Sequence, residues 1–140
     1  MTYEIKFPTT GNIVEVRLNG ALSFETFRDM NVELYYGPEW QTGMNMLAIL
    51  ERGTDVSAID SKVLRTEFKA ELERMTEVRG PEFKVAWVAE DAHNLPILRL
   101  WQSMPFVLGV FDIEIFADRD SGRNWLEGFE ADWPELRRPA

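Results

Sequence analysis

The sequence contains no cysteine. Disulfides, thiol nucleophiles and thiolate metal sites are therefore excluded, and a cytoplasmic home is expected. Histidine is nearly absent too, with His93 alone, so any acid–base role for an imidazole rests on that residue. No apolar run approaches the ~20 residues of a membrane-spanning helix. The opening Met-Thr-Tyr-Glu-Ile-Lys has no basic stretch followed by an apolar one, and no secretory signal is read from it. Neither a G-x-G-x-x-G nor a P-loop pattern occurs. Positive charge is scarce: 15 Lys and Arg stand against 24 Asp and Glu, a formal net charge of -9. Such a field repels a phosphate backbone, so no nucleic-acid partner is expected. It disfavours anionic membranes as well, unless a local apolar patch makes a peripheral contact.

What is present is ordinary globular material: 140 residues, 45% hydrophobic and 28% charged, enough for one domain with a sizeable core. Tyr3, Ile5 and Phe7 alternate with polar residues, as do Val14, Val16 and Leu18, and Thr9-Thr10-Gly11-Asn12 separates the two runs. This predicts a hairpin with one buried face. Ser23 then caps a helix carrying Phe24, Phe27, Met30, Leu34 and Tyr35 on one side, stopped by Gly37-Pro38. The nearly unbroken apolar runs 44–50 and 83–89 read as strands buried on both faces.

Between those runs the spacing predicts a long helix over about 58–76. Ser57 is its expected cap and Asp60 completes a capping box, with Leu64, Phe68, Leu72 and Met75 as the core stripe. A helix over about 95–104 follows. The last strand enters Phe116-Ala-Asp-Arg-Asp120 and turns into a helix bearing Trp125-Leu126. The order β-β-α-β-α-β-α-β-α predicts an α/β domain over residues 1–129, with a mixed, mostly parallel sheet of about five strands and about four helices. Residues 130–140 read as a poorly ordered extension.

Val16-Arg-Leu-Asn-Gly20 before a capped helix, the strand Lys84-Val-Ala-Trp-Val88, and Phe116-Ala-Asp-Arg-Asp120 with Trp125-Leu126 resemble the STAS domain of anti-sigma-factor antagonists, and more closely its SpoIIAA-like branch. The resemblance covers about residues 2–129. It implies regulation by a hydroxyl phosphorylated at the start of a helix. The matching segment here is Asp60-Ser61-Lys62-Val63, which differs from that motif at Lys62 and Val63. Ser61 and Ser57 are the candidate phosphorylation sites, and helix capping is the structural role open to the same residues. The resemblance also implies association with apolar ligands or membranes.

Catalytic constellations are sparse. His93 lies near Glu90, Asp91 and Asn94 at a strand end, where α/β folds commonly place ligands, but no serine or cysteine nucleophile is tied to it in sequence. It reads equally as a loop histidine with Asn94 as the helix cap. Asp118 and Asp120 are too few to hold a hard cation and are expected to cap the last helix. Asp60, Glu67 and Glu71 line one side of the long helix as a solvated face. No catalytic residue, metal or cofactor is expected.

The helix 95–104 is the unusual signal. Ile97, Leu98, Leu100, Trp101 and Met104 span an arc of about 160°, wider than the ~100° a core stripe needs, and Pro105-Phe-Val-Leu108 continues the apolar character. The surplus is expected to line an apolar ligand site, meet a second subunit of the same chain or touch a membrane surface, unless the first helix and the tail cover it. The expected ligand-binding residues are Trp101, Leu98, Met104 and Phe106, with Phe24, Phe27 and Tyr35 from the first helix. The leading expectation is a non-enzymatic binding module for an apolar small molecule, a lipid or a protein partner. A phosphorylation-switched antagonist is the alternative, and an enzyme built on His93 comes last.

Overall fold

The computed structural model describes residues 2–79, 83–104 and 112–130. Five strands, β1 (Thr2–Lys6), β2 (Ile13–Asn19), β3 (Asn45–Leu50), β4 (Lys84–Ala89) and β5 (Asp112–Phe116), form one sheet in the order β1-β2-β3-β4-β5. β1 runs antiparallel to β2 and every later pair is parallel. The helices are α1 (Phe24–Tyr35), α2 (Ser61–Val63), α3 (Lys69–Arg79), α4 (Leu95–Gln102) and α5 (Arg119–Glu130). α2 leads through a π turn, Leu64–Phe68, directly into α3.

The arrangement of layers follows from chain direction. From β2 to β5 each parallel strand is laid beside the last, always on the same side. Right-handed crossovers taken repeatedly in one direction put all their helices on one face of the sheet. That face holds the main core: Val14, Val16 and Leu18 of β2, Met46, Ala48 and Leu50 of β3, and Val85, Trp87 and Ala89 of β4, under Phe27, Leu64, Phe68 and Leu98 from the helices. Register interlocks bulk with lack of it, since Trp87 stands directly beside Ala48.

α5 follows the last strand and makes no crossover, so it is free to cover the opposite face. There Leu126 packs on Ile13, Leu47, Ile49, Ala86 and Val88, with Phe116 and Trp125 at the margin. Gly122 is what lets α5 lie close. A Cβ at that position would stand 3.1 Å from Leu47 Cδ1 and 3.2 Å from Val88 Cγ2.

Several sequence expectations need correction. Ser57 does not cap the long helix. The helix begins at Ser61, and Asp60 is its cap, its Oδ1 accepting from the Val63 backbone N–H at 3.0 Å. Ser57 lies in the preceding loop, where its own N–H donates to Asp55 Oδ1 at 2.9 Å and holds the Asp55 carboxyl below the usual range. The long helix is not uniformly α. Its stripe steps Leu64, Phe68, Leu72, two four-residue steps that drift by roughly 40° each on an α-helix, and the wider π turn keeps these residues buried on one side.

Glu71 is not on a solvated face. It is buried, and Arg74 Nη2 reaches both of its oxygens, at 2.8 and 2.6 Å. Asn94 makes no side-chain cap hydrogen bond to α4. It braces the loop after β3 instead, accepting from the Val56 N–H at 3.1 Å and donating to the Thr54 carbonyl at 2.8 Å. α5 runs to Glu130, one residue past the expected boundary, and the extension 131–140 lies outside the described residues.

Replacing Gly122 with Leu forces a branched side chain between α5 and the sheet, and a loss of about 1–3 kcal/mol is expected from overpacking. Urea unfolding of G122L against the parent chain measures it.

Candidate functional site

Sequence reasoning singled out the apolar arc of α4, and the structure places most of that arc in the core. Leu98 and Met104 are buried, and Trp101 is only 6% exposed. Its indole is ringed by aromatics: Phe68 at 4.3 Å, Trp87 at 4.7 Å and Phe27 at 5.8 Å between centroids. Phe27 in turn stacks on Phe68 at 4.6 Å. Tyr35 is buried at the other end of α1, against Trp40 and Phe83. Phe24 is half-buried, with the Arg28 guanidinium 5.9 Å above its ring. Phe106 lies outside the described residues. Thus α1 and the π turn cover the face of α4 that the helical wheel leaves open.

The structure brings Phe27, Tyr35 and Trp101 around one small cavity, together with Asn31, Met46 and Trp87. Its volume is about 20 Å³, room for a single water and far too little for a lipid. The indole N–H groups of Trp87 and Trp101 are buried without an acceptor among the described residues.

An open site lies on the other side of α1. The large hydrophobics exposed among the described residues are Val32 at 43% and Tyr36 at 54%. They sit one helical turn apart and form, with Ile5 of β1 and Phe7 just after it, a groove of about 500 Å³. Gly37 and Pro38 close one end. A Cβ on Gly37 would lie 2.8 Å from the Glu33 carbonyl oxygen, so the chain can leave α1 this tightly only at glycine.

Among the described residues, Glu33 and Glu39 are the only charged residues of the lining. Glu33 also ties the helix to the edge strand, because the Tyr3 hydroxyl donates to its Oε2 at 2.6 Å. That hydrogen bond, then partial burial and the nearby charges of Glu33 and Asp29, push the Tyr3 pKa up to about 12. Sequence reasoning missed this groove because Val32 and Tyr36 fall outside the core stripe of α1. The available signal was the i, i+4 pair itself, two large apolar residues on an otherwise polar face.

The remaining sequence candidates do not converge. His93 is exposed on the turn Ala92–Asn94. Around it, the acidic side chains at the strand end are engaged by the chain's own backbone. The Arg52 N–H donates to Glu90 at 3.1 Å and the Gly53 N–H to Asp91 at 2.7 Å. Ser61 is half-exposed in the first turn of its helix and Ser57 is exposed in the loop before it. Asp118 caps α5, accepting from the Ser121 N–H at 2.9 Å. Among the described residues no group of three His, Cys, Asp or Glu is placed to hold a metal ion, and no helix is long and apolar enough to cross a membrane.

Trp101→Ala should destabilise the fold by about 3–5 kcal/mol, as expected for removing a large buried aromatic, and denaturant unfolding reports it. The Tyr3 hydroxyl should titrate late, which tyrosinate absorbance in the parent and Tyr3→Phe chains resolves. The raised pKa means that the Tyr3–Glu33 contact stabilises the fold fully below the free phenol pKa of about 10 and is lost as pH rises toward about 12. The fold and this groove stand on their own geometry: no protein-family model, curated protein or solved structure matches the chain.

Proposed function

We propose that this chain is a non-enzymatic binding module, and that the groove between α1 and β1 captures a segment of a protein partner. The observation that carries the reading is the pairing of Val32 and Tyr36, exposed side by side over Ile5 and Phe7. Exposed apolar clusters rimmed by charge are characteristic of interaction surfaces, and tyrosine is favoured in them because it adds a large apolar area and a polar tip at little entropic cost.

The rim selects the partner. Glu33 and Glu39 give the groove a negative border within a chain of net charge -9. The complementary segment therefore combines apolar side chains with Lys or Arg, and the protein's field steers it in. A lipid surface with anionic head groups is disfavoured by the same charge. A catalytic reading finds no support in the exposed His93 or in Glu90 and Asp91, whose carboxylates are engaged by the Arg52 and Gly53 N–H groups.

Selection from a displayed peptide library tests this. Enriched sequences should pair apolar residues with Lys or Arg, shift the amide resonances of residues 5–7 and 32–39, and lose about tenfold or more in affinity against Val32→Glu. Because that position is on the surface, V32E should leave thermal stability nearly unchanged. Enrichment of acidic peptides, resonance shifts elsewhere, or concentration-dependent self-association abolished by V32E would each overturn the reading, the last by making a second copy the occupant.

A further inference from the structure

On the opposite face of the sheet, α5 packs over β3, β4 and β5 and makes only slight contact with β2. The β1–β2 end of that face is left to polar residues: Lys6 on β1 stands beside Glu15 on β2 in register, as Glu4 does beside Arg17. Glu15 is only 8% exposed. Its carboxylate is held by the Arg119 guanidinium in a two-pronged contact, Nε to Oε1 and Nη2 to Oε2, each 3.1 Å, and by Arg17 Nη2 at 2.9 Å. Hydrogen bonds from Arg119, then its charge and that of Arg17, keep the Glu15 carboxyl below its ordinary range against the opposing effect of burial. Two cations therefore satisfy this buried acid.

Further positive charge surrounds it. Between the β1–β2 turn and α5 lies a groove of about 430 Å³ whose lining includes Lys6, Thr9, Thr10, Arg119 and Arg123 above Glu15. The charged residues of the lining are three cations and one carboxylate. Lys6 takes part in no ion pair among the described residues, and Arg123 meets only Glu127, its neighbour one turn along, at 3.3 Å. In a chain of net charge -9 the lining itself thus carries an excess of positive charge, with Asp120 at 4.0 Å from Arg119 and Glu127 beside Arg123 at its edge. A concave site with an excess of one sign of charge concentrates the opposite ion, and guanidinium and ammonium groups with nearby hydroxyls are the donors that bind phosphate and carboxylate oxygens.

We infer that this groove is a binding site for a small, multiply charged anion bearing phosphate or carboxylate groups, held by Lys6 and Arg123 with Thr9 and Thr10, while Arg119 stays engaged with Glu15. The site opens on the other face of the sheet from the α1–β1 groove and shares only Phe7 with it, so either reading can fail without the other.

Calorimetric titration at low ionic strength with inorganic pyrophosphate and with citrate tests the inference. One-site binding of at least one of them is expected, weakened about tenfold or more in the double variant Lys6→Gln, Arg123→Gln. It should change less than twofold in Lys69→Gln, which removes a surface cation from α3. Tighter binding of pyrophosphate would assign the site to phosphates, and tighter binding of citrate to carboxylates. Two results overturn the inference: no saturable binding of either anion by a folded parent chain, or equal weakening in K69Q and the double variant, which would reduce the effect to overall charge.

Discussion

The handedness of the strand-to-strand crossovers is the constraint from which the rest of this structure follows. Four strands are laid down in sequence order, so each right-handed connection returns on the same side, and α1, the 61–79 helix and α4 are crowded onto one face. One face of the sheet is thick and apolar. Among the described residues the other depends on α5, which at 12 residues cannot cover five strands. Both open sites lie at the β1–β2 end, beyond the cover of the crossover helices on one face and of α5 on the other.

Crowding also explains the aromatic character of the core. Phe27, Phe68, Trp87 and Trp101 come from α1, the π turn, β4 and α4, and meet where these elements converge over the middle of the sheet. Large flat rings fill the deep space between a helical layer and a twisted sheet. Packing leaves a water-sized cavity here, with the indole N–H groups of Trp87 and Trp101 beside it. The wide apolar arc of α4 thus reflects contacts on several sides: the sheet below, and α1 and the π turn alongside.

Much of the fold was legible because its signals are local. Alternation in 3–7 and 14–18, unbroken apolar runs in β3 and β4, and Ser23 before α1 each report a periodicity or a cap that needs no distant partner. The misreadings share a cause. Ser57, Asp60 and Asn94 are all plausible caps, and which one serves depends on loops that meet only in the folded chain, such as Asn94 bridging Thr54 and Val56 across a gap of about 40 residues in sequence. Glu71 looked solvated because a helical wheel shows its face but not what lies over it. The groove at Val32 and Tyr36 was hidden for the opposite reason: two apolar residues on a polar face stay exposed beside β1, the edge strand, with no helix beyond it among the described residues.

By itself the sequence determined the order and type of the elements and the composition of the core, because hydrophobic periodicity, caps and turn residues act over a few positions. It also determined that thiol chemistry is absent and that the surface is strongly acidic. Tertiary structure alone decided which apolar residues are spent on packing and which remain open, and where positive charge gathers against the overall sign. Those outcomes depend on residues far apart in the chain, Glu15 with Arg119 and Ile5 with Tyr36, and only the folded chain brings them together.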